Sequence, residues 1–466
     1  MVTLAAAASP GAPPAPVYRP RHPERTALYR LLDRHFEAYR RVHADRFEPR
    51  SGPLRPEVVA AVSAFLDCGR LHGGFARIRC PGCGGEHLLA FSCRTRNLCP
   101  SCQAKRSAVF AERVVEEVLL DVAHRHVVFT VPKALRGLIE RERGLHGRMA
   151  RVAWGVIREA LCEAAVEPAG VPGAVVSLQT FGSYGANFHP HLHAIVTEGV
   201  FTRDGRFHPV IWPEAADLAE RFRRALLEAL EKAGRLRRAT RERFLAWTHS
   251  GFSVEATQRV AAGERSQAER LARYATRVVV ASAKVQGVGE GRVRIQTPPD
   301  PRTGAMAVEM DVLEAVHAIL QHVPPRGTHL VRYYGAYANR RRAALREARA
   351  RLAGTEPSWP AAAPCAEGRD GDAPSPGEVG AGGCAPSRSP APPASAEAYR
   401  RQAWAQRLRK VFEVEPLVCP RCGKAMVVVA WITDLAVVDR ILRHRRRKGI
   451  VSVFEEDAGA RAPPVA

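Results

Sequence analysis

The chain has 466 residues, 46% of them hydrophobic and 25% charged, which is enough for two or three domains of ordinary globular composition. Seventy Lys and Arg against 47 Asp and Glu leave a formal charge of +23, a field that favours polyanions and nucleic acid above all. No apolar run approaches the ~20 residues of a membrane span, and the opening MVTLAAAASPGAPPAP lacks the basic start and apolar stretch of a secretory signal. A membrane partner is therefore not expected. The expected location is cytoplasmic and reducing, where paired cysteines are metal ligands before they are disulfides.

Residues 1–25, rich in Ala and Pro, are expected to be a disordered leader. Over 26–41, Leu28, Leu31, Leu32, Phe36 and Tyr39 recur at helical spacing, and a second helix is predicted over 55–67. A cysteine-rich stretch follows, and 107–124 reads as an amphipathic helix with Phe110, Val114 and Val118 on one stripe. Residues 26–120 would thus form a helical, zinc-binding DNA-recognition domain. HVVFTVP, 126–132, is a β-branched run ended by proline and predicts a buried strand, followed by a long helix over 135–165. Strands over 175–181 and 192–196 are joined by a Gly-containing hairpin, and 214–233 and 266–283 are helical. A short strand pair at 292–296 and 305–310, a helix at 312–322, a strand at 329–333 and an Arg-rich helix ending near Leu352 complete the stretch. Strands interleaved with helices, without a regular βαβ period, predict an α+β domain over 121–353 on a mostly antiparallel sheet. Residues 354–396, dense in Pro, Ala, Gly and Ser, read as a disordered linker; 397–456 form a small C-terminal unit with Cys419, Cys422 and the run RHRRRK.

Cys80, Cys83, Cys99 and Cys102 form a C-x2-C-x15-C-x2-C pattern, the spacing expected of a structural four-cysteine Zn2+ site, with Cys93 as the alternative ligand. Two tight turns, each holding two thiolates, close a tetrahedron that a core-poor segment needs in order to fold. Arg77, Arg79, Arg94, Arg96, Lys105 and Arg106 surround it and suit duplex or hairpin DNA. Cys419-Pro420-Arg421-Cys422-Gly423 reads as half a zinc ribbon without an obvious second half.

NFHPHLHAIV, 187–196, carries the chemistry. Residues two apart on a strand face the same side, so His191 and His193 project together as a two-imidazole metal platform. Gln179, on the preceding strand, is the candidate third ligand, with His189 the runner-up. Tyr333 and Tyr337 lie four apart at a strand-to-helix junction and share a face if the first helical turn includes both. A phenol of pKa about 10 attacks phosphorus only when its charge is relieved, which a divalent ion at the histidines could do. Arg332, Arg340, Arg341 and Arg342 would follow the strand's phosphates.

At these residues the sequence resembles the HUH-superfamily rolling-circle transposases of the insertion-sequence-ninety-one type. The resemblance runs through CPGCG…SCRTRNLCPSCQ, HVVFTVPKALR, LQTFGSYGANFHPHLHAIV, HLVRYYGAY and the tail WAQRLRKVFEVEPLVCPRCGKAMVVVAWITD, about 28–434. It implies a ferredoxin-like HUH nuclease sheet and a Mg2+- or Mn2+-dependent attack on single-stranded or hairpin transposon ends. That attack would leave a 5′-phosphotyrosine and a free 3′-hydroxyl, with Tyr333 as first nucleophile, Tyr337 as second, and His191 and His193 as ligands. A replication initiator or relaxase shares this chemistry. A non-catalytic zinc-dependent DNA-binding protein and a phosphoesterase that uses water are the other readings.

Overall fold

The computed structural model describes residues 22–165, 170–182, 186–288, 291–300, 302–353 and 417–450. The predicted linker lies outside these residues, as do 1–21 of the predicted leader and 397–416 and 451–456 of the predicted C-terminal unit.

Helix α1 (Ala27–Arg46) is capped by the Thr26 hydroxyl, which accepts from the Tyr29 amide at 3.3 Å. After α2 (Glu48–Ser51) and α3 (Pro56–Leu66), strands β1 (Phe75–Arg79) and β2 (Glu86–Ala90) form a hairpin. The helix predicted over 107–124 is earlier and shorter. It is α4 (Pro100–Arg113), which loosens into a π turn at Val114–Val118, where three valines weaken helix preference, and His124 already belongs to β3 (His124–Thr130). The long helix expected over 135–165 is two, α5 (Lys133–Arg141) and α6 (Leu145–Ala164), interrupted where Glu142 leaves the helical region just before Gly144.

Strands β4 (Gly173–Phe181), β5 (Phe188–Thr197), β6 (Gly199–Phe201) and β7 (Phe207–Pro209) precede α7 (Ala215–Lys232) and α8 (Arg238–Ala246). Strands β8 (Ser253–Glu255) and β9 (Arg259–Val260) lead to α9 (Arg265–Ala275). That helix stops eight residues short of its predicted end, because Thr276 and the β-branched run Val278-Val279-Val280 cannot continue it cheaply. Strands β10 (Val285–Val288), β11 (Arg292–Gln296) and β12 (Ala307–Asp311) form a separate antiparallel sheet, followed by α10 (Val312–Leu320). Strand β13 (Val331–Gly335), α11 (Asn339–Leu352), β14 (Val427–Ile432) and α12 (Leu435–Arg447) complete the described chain.

The architecture is α+β with antiparallel sheets, as the interleaved elements predict. Its main sheet runs β13-β4-β5-β3-β8, with β9 also pairing β3. Alternation divides the sheet's faces. Val127, Phe129, Val176, Leu178, Leu192 and Ala194 point into the largest core, where buried residues of α5, α6 and α7 cover them. The opposite face carries Val175 and Ile195 under α9 and the π turn, and beyond that cover it carries the histidines.

The N-terminal helices do not close a core of their own: Leu28, Leu32, Phe36 and Phe65 pack with Val285, Ile295, Val316 and Ile319. The C-terminal unit is likewise not separate. Strand β14 pairs with β1, giving a sheet of order β14-β1-β2 whose strands come from opposite ends of the chain.

Candidate active site and cysteine clusters

The register of the main sheet sets the histidines. His191 lies opposite Gln179 on β4 and Thr130 on β3, while His193 lies opposite Ser177 and Val128, so all these side chains rise on one face. His191 Nδ1 donates to the His189 carbonyl at 2.7 Å, and His193 Nδ1 pairs with His126 Nε2 at 2.9 Å. Each ring is thereby turned so that its other nitrogen faces its neighbour: the two Nε2 atoms stand 3.1 Å apart. Burial, followed by the influence of His191, His126 and Arg277, pushes His193 down to about 2. Burial, with Arg277 and Arg136, holds His191 at about 4. Both are therefore neutral near pH 7, the metal-ligating form, and the carbonyl held by His191 Nδ1 leaves the His191 Nε2 lone pair directed at His193 Nε2.

Gln179 Nε2 donates to the Tyr274 carbonyl at 2.9 Å, while its Oε1 is buried without a partner. His189 Nε2 is buried and unpartnered as well. Buried polar atoms without partners are costly, and these two lie near the converging imidazoles; among the described residues no third His, Cys, Asp or Glu atom lies within 4.8 Å of both rings' ligand atoms.

The tyrosine beside these histidines is Tyr274, which sequence reasoning passed over. Its ring centroid lies 5.4 Å from that of His193 and 6.4 Å from that of His126, nearly perpendicular to both. It is 46% exposed, and among the described residues it is the one tyrosine lining the histidine cleft. That cleft, of about 350 Å³, also contains Thr130, Glu255 and Arg277. The Arg277 guanidinium stands 4.7 Å over the Tyr274 ring and 5.3 Å over Phe181.

The end of α9 is tied down carbonyl by carbonyl, as a helix terminus requires. Gln179 holds Tyr274 O, Ser177 holds Ala275 O at 3.0 Å, and Gln103 holds Thr276 O at 2.8 Å. These bonds anchor Tyr274 against the sheet from both β4 and α4. No local pattern announces it: Tyr274 is one aromatic in LARYATR, placed beside the histidines by packing alone.

Tyr333 and Tyr337 stand elsewhere. Tyr333 is opposite Val175, which is opposite Ile195, so two strand spacings of about 4.8 Å each separate it from the histidine strand. It lines a second, larger cleft of about 830 Å³, shared with Gln179, Phe181 and Arg277. Burial raises its phenol pKa, against the pull of Arg113 and Arg342, whose guanidinium stacks 5.4 Å over its ring. Tyr337 is fully buried; its hydroxyl meets His124 Nε2 at 2.6 Å and the Leu120 amide at 3.3 Å, and burial raises its pKa too. The shared face expected of the two does not form, because Tyr333 lies in the middle of strand β13 and α11 begins only at Asn339.

Of the expected DNA-binding residues, Lys105 and Arg106 line the larger cleft with Arg94, Arg96 and Arg113. Arg342 reaches it through Tyr333, and Arg340 and Arg341 are exposed at the start of α11. Arg332 alternates to the other face of β13, beside Arg143 and Arg151.

The cysteines regroup. Cys80, Cys83, Cys99 and Cys102 do not share one centre: Cys68, Cys93, Cys99 and Cys102 form one cluster, and Cys80, Cys83, Cys419 and Cys422 form another. In the first, Sγ atoms lie 3.7 Å (Cys68–Cys99), 3.8 Å (Cys68–Cys102) and 3.5 Å (Cys93–Cys102) apart. Those separations match the ~3.8 Å edge of a tetrahedron with Zn–S near 2.3 Å, and exceed the ~2.05 Å of a disulfide. Cys93 thus stands in the cluster together with Cys99 and Cys102 rather than in place of one of them, and Cys68, just beyond α3, is the member that spacing did not reveal.

Residues 173–344 match the family model described as "Putative transposase", and residues 33–131 match "Transposase zinc-binding domain". The chain is 32% identical to the putative transposase y4qJ of Sinorhizobium fredii, over 56% of this chain and 70% of that protein. It is 26% identical to the transposase for insertion sequence element IS801 of Pseudomonas savastanoi pv. phaseolicola, over 62% of this chain and 72% of that one. The chain belongs to the insertion-sequence-ninety-one family of transposases. No solved structure matches it. Family and cysteine geometry together support structural Zn2+ in this transposase. Among the described residues, no helix is long and apolar enough to cross a membrane.

Proposed function

We propose that this transposase nicks and rejoins single-stranded DNA at transposon ends through a 5′-phosphotyrosine on Tyr274, driving rolling-circle transposition. The observation that carries the reading is the meeting, in one cleft, of a half-exposed tyrosine with two neutral imidazoles whose Nε2 atoms converge to 3.1 Å. Antiparallel strands with the histidine pair on a central strand support an HUH-type nuclease sheet. His191, His193 and Gln179 would hold Mg2+ or Mn2+, and the ion would supply Lewis-acid polarisation of the scissile phosphate.

The chain's own part follows from the geometry. The Tyr274 oxygen attacks phosphorus, the bond to the 3′ oxygen breaks, the phenol's proton leaves to solvent, and the departing 3′ oxygen takes one up. Phosphate ester is exchanged for phosphate ester, so the stored bond can be rejoined without ATP. Arg277 stands where it can bind a phosphate oxygen while stacked on the Tyr274 ring, and Gln179 and Ser177 keep the ring at the sheet. The adjoining cleft, with Arg94, Arg96, Arg106 and Arg113 around Phe110 and Tyr333, suits a single strand: cations follow the backbone and rings stack on bases.

The test uses labelled single-stranded oligonucleotides of the element's ends with Mg2+ or Mn2+, scored for a denaturation-resistant protein–DNA adduct. Tyr274→Phe and His191→Ala should abolish the adduct, whereas Tyr333→Phe and Tyr337→Phe should retain it. A wild-type adduct level in Tyr274→Phe overturns the nucleophile assignment. Cleavage without any covalent adduct would favour attack by water.

A further inference from the structure

The second cysteine cluster lies astride the chain's two ends, and only half of it falls within the match to the zinc-binding domain, 33–131. Its halves are copies of one turn. Cys80-Pro81-Gly82-Cys83-Gly84 and Cys419-Pro420-Arg421-Cys422-Gly423 share the pattern C-P-x-C-G. In each, the glycine takes positive φ, +70° at Gly84 and +67° at Gly423, as a turn this tight demands. Each glycine amide donates to the carbonyl of its first cysteine, at 3.0 Å for Cys80 and 2.9 Å for Cys419. In each, backbone amides aim at the first sulfur: those of Gly82 and Cys83 at Cys80, and those of Arg421 and Cys422 at Cys419. Across the turns, Cys80 and Cys422 Sγ lie 3.5 Å apart, and Cys83 and Cys419 Sγ 3.6 Å. These are again close to the ~3.8 Å edge of a zinc–thiolate tetrahedron.

We propose that Cys80, Cys83, Cys419 and Cys422 bind a second Zn2+, independent of that at Cys68, Cys93, Cys99 and Cys102, which fastens the C-terminal segment to the β1–β2 hairpin. The C-terminal CPRCG is then one knuckle of a zinc ribbon whose other knuckle lies 336 residues earlier. Strand pairing extends the junction, since Phe75 to Arg79 of β1 run antiparallel to Ile432 to Val427 of β14. Val438 of α12 fills a small core with Phe75 and Leu88, and Arg445 reaches Glu86 at 3.5 Å. The clasp thereby seats α12, with Arg440, Arg443, Arg446 and Arg447 exposed, on the zinc-binding domain. The metal is what closes the arrangement, because the core beneath it is small: Ala76, Ile78, Leu89, Met426 and Val428.

The experiment counts zinc on the purified full chain by elemental analysis. Wild type should carry two equivalents, and Cys419→Ser/Cys422→Ser and Cys80→Ser/Cys83→Ser one each; the retained equivalent reports that the first site is still folded. A protease site inserted between 354 and 396 of the full chain then reports the clasp. After cleavage, the C-terminal fragment should co-elute with the remainder in the wild type and separate from it in either double variant. One zinc in the wild type, two in a double variant, or none in both double variants overturns the proposal. So does a cleaved fragment that stays bound without its cysteines, which would assign the junction to strand pairing alone.

Discussion

Replacing Tyr337 by Phe removes a hydroxyl that donates to His124 Nε2 at 2.6 Å and accepts from the Leu120 amide at 3.3 Å. The ring itself would stay, stacked 5.9 Å from His124 and pressed against Gly173, where a Cβ would come within 2.9 Å of it. His124 is buried, so its Nε2 and the Leu120 amide would lose their partner together. An orphaned buried polar group costs about 1–3 kcal/mol; with the longer Leu120 bond at the low end, the sum is roughly 2–4 kcal/mol. For a unit of 150–250 residues that corresponds to a fall in Tm of roughly 4–16 °C. Thermal melting should show this fall, while adduct formation assayed well below the transition stays at wild-type level. An unchanged Tm with a lost adduct would refute the reasoning, because the hydroxyl would then act on DNA and not inside the fold.

Four further outcomes are expected. Gly335→Ala should destabilise by at least about 2 kcal/mol in denaturant titration, since φ is +58° and the added Cβ would sit 1.9 Å from the Pro172 carbonyl oxygen. Arg277→Ala, which removes the guanidinium over Tyr274 and Phe181, should slow adduct formation about 10²-fold and leave zinc content unchanged. Gln179→Ala should weaken Mn2+ binding by about 10–100-fold in titration calorimetry, and more than His189→Ala does; the reverse order would give the third ligand to His189. Acidification should destabilise the fold from about pH 6.5 downward, because burial holds His322 and His146 at about 3 in the folded chain. Between those values the unfolded chain binds more protons, so stability rises with pH; His322→Asn should flatten that slope in pH-dependent denaturation.

How far the sequence carried depends on the range of the signals. Alternation and β-branched runs marked β3, β4 and β5, the two-residue period put His191 and His193 on one face, and the hairpin brought Gln179 beside them. Tyr274 was invisible because its neighbours along α9 say nothing about strands β3 and β5. Tyr337 misled because spacing of four suggests a shared face only where a helix is continuous, and the chain there is strand, turn and then helix. The cysteines show the same limit. Short spacing favoured joining Cys83 to Cys99, yet the better signal was chemical: CPGCG matches CPRCG at every residue but the third, whereas Cys102 is followed by Gln103 inside α4.

Strand β1 leaves the ribosome long before one of its two neighbours, β14, has been made. Until then the nascent N-terminal domain carries an open strand edge, a surface prone to pair with other chains. A copy of the element with a premature stop before residue 417 would keep every residue of the histidine cleft and still release a product with that edge bare. Loss of a distant terminus would then remove the enzyme by aggregation before its catalysis is ever tested.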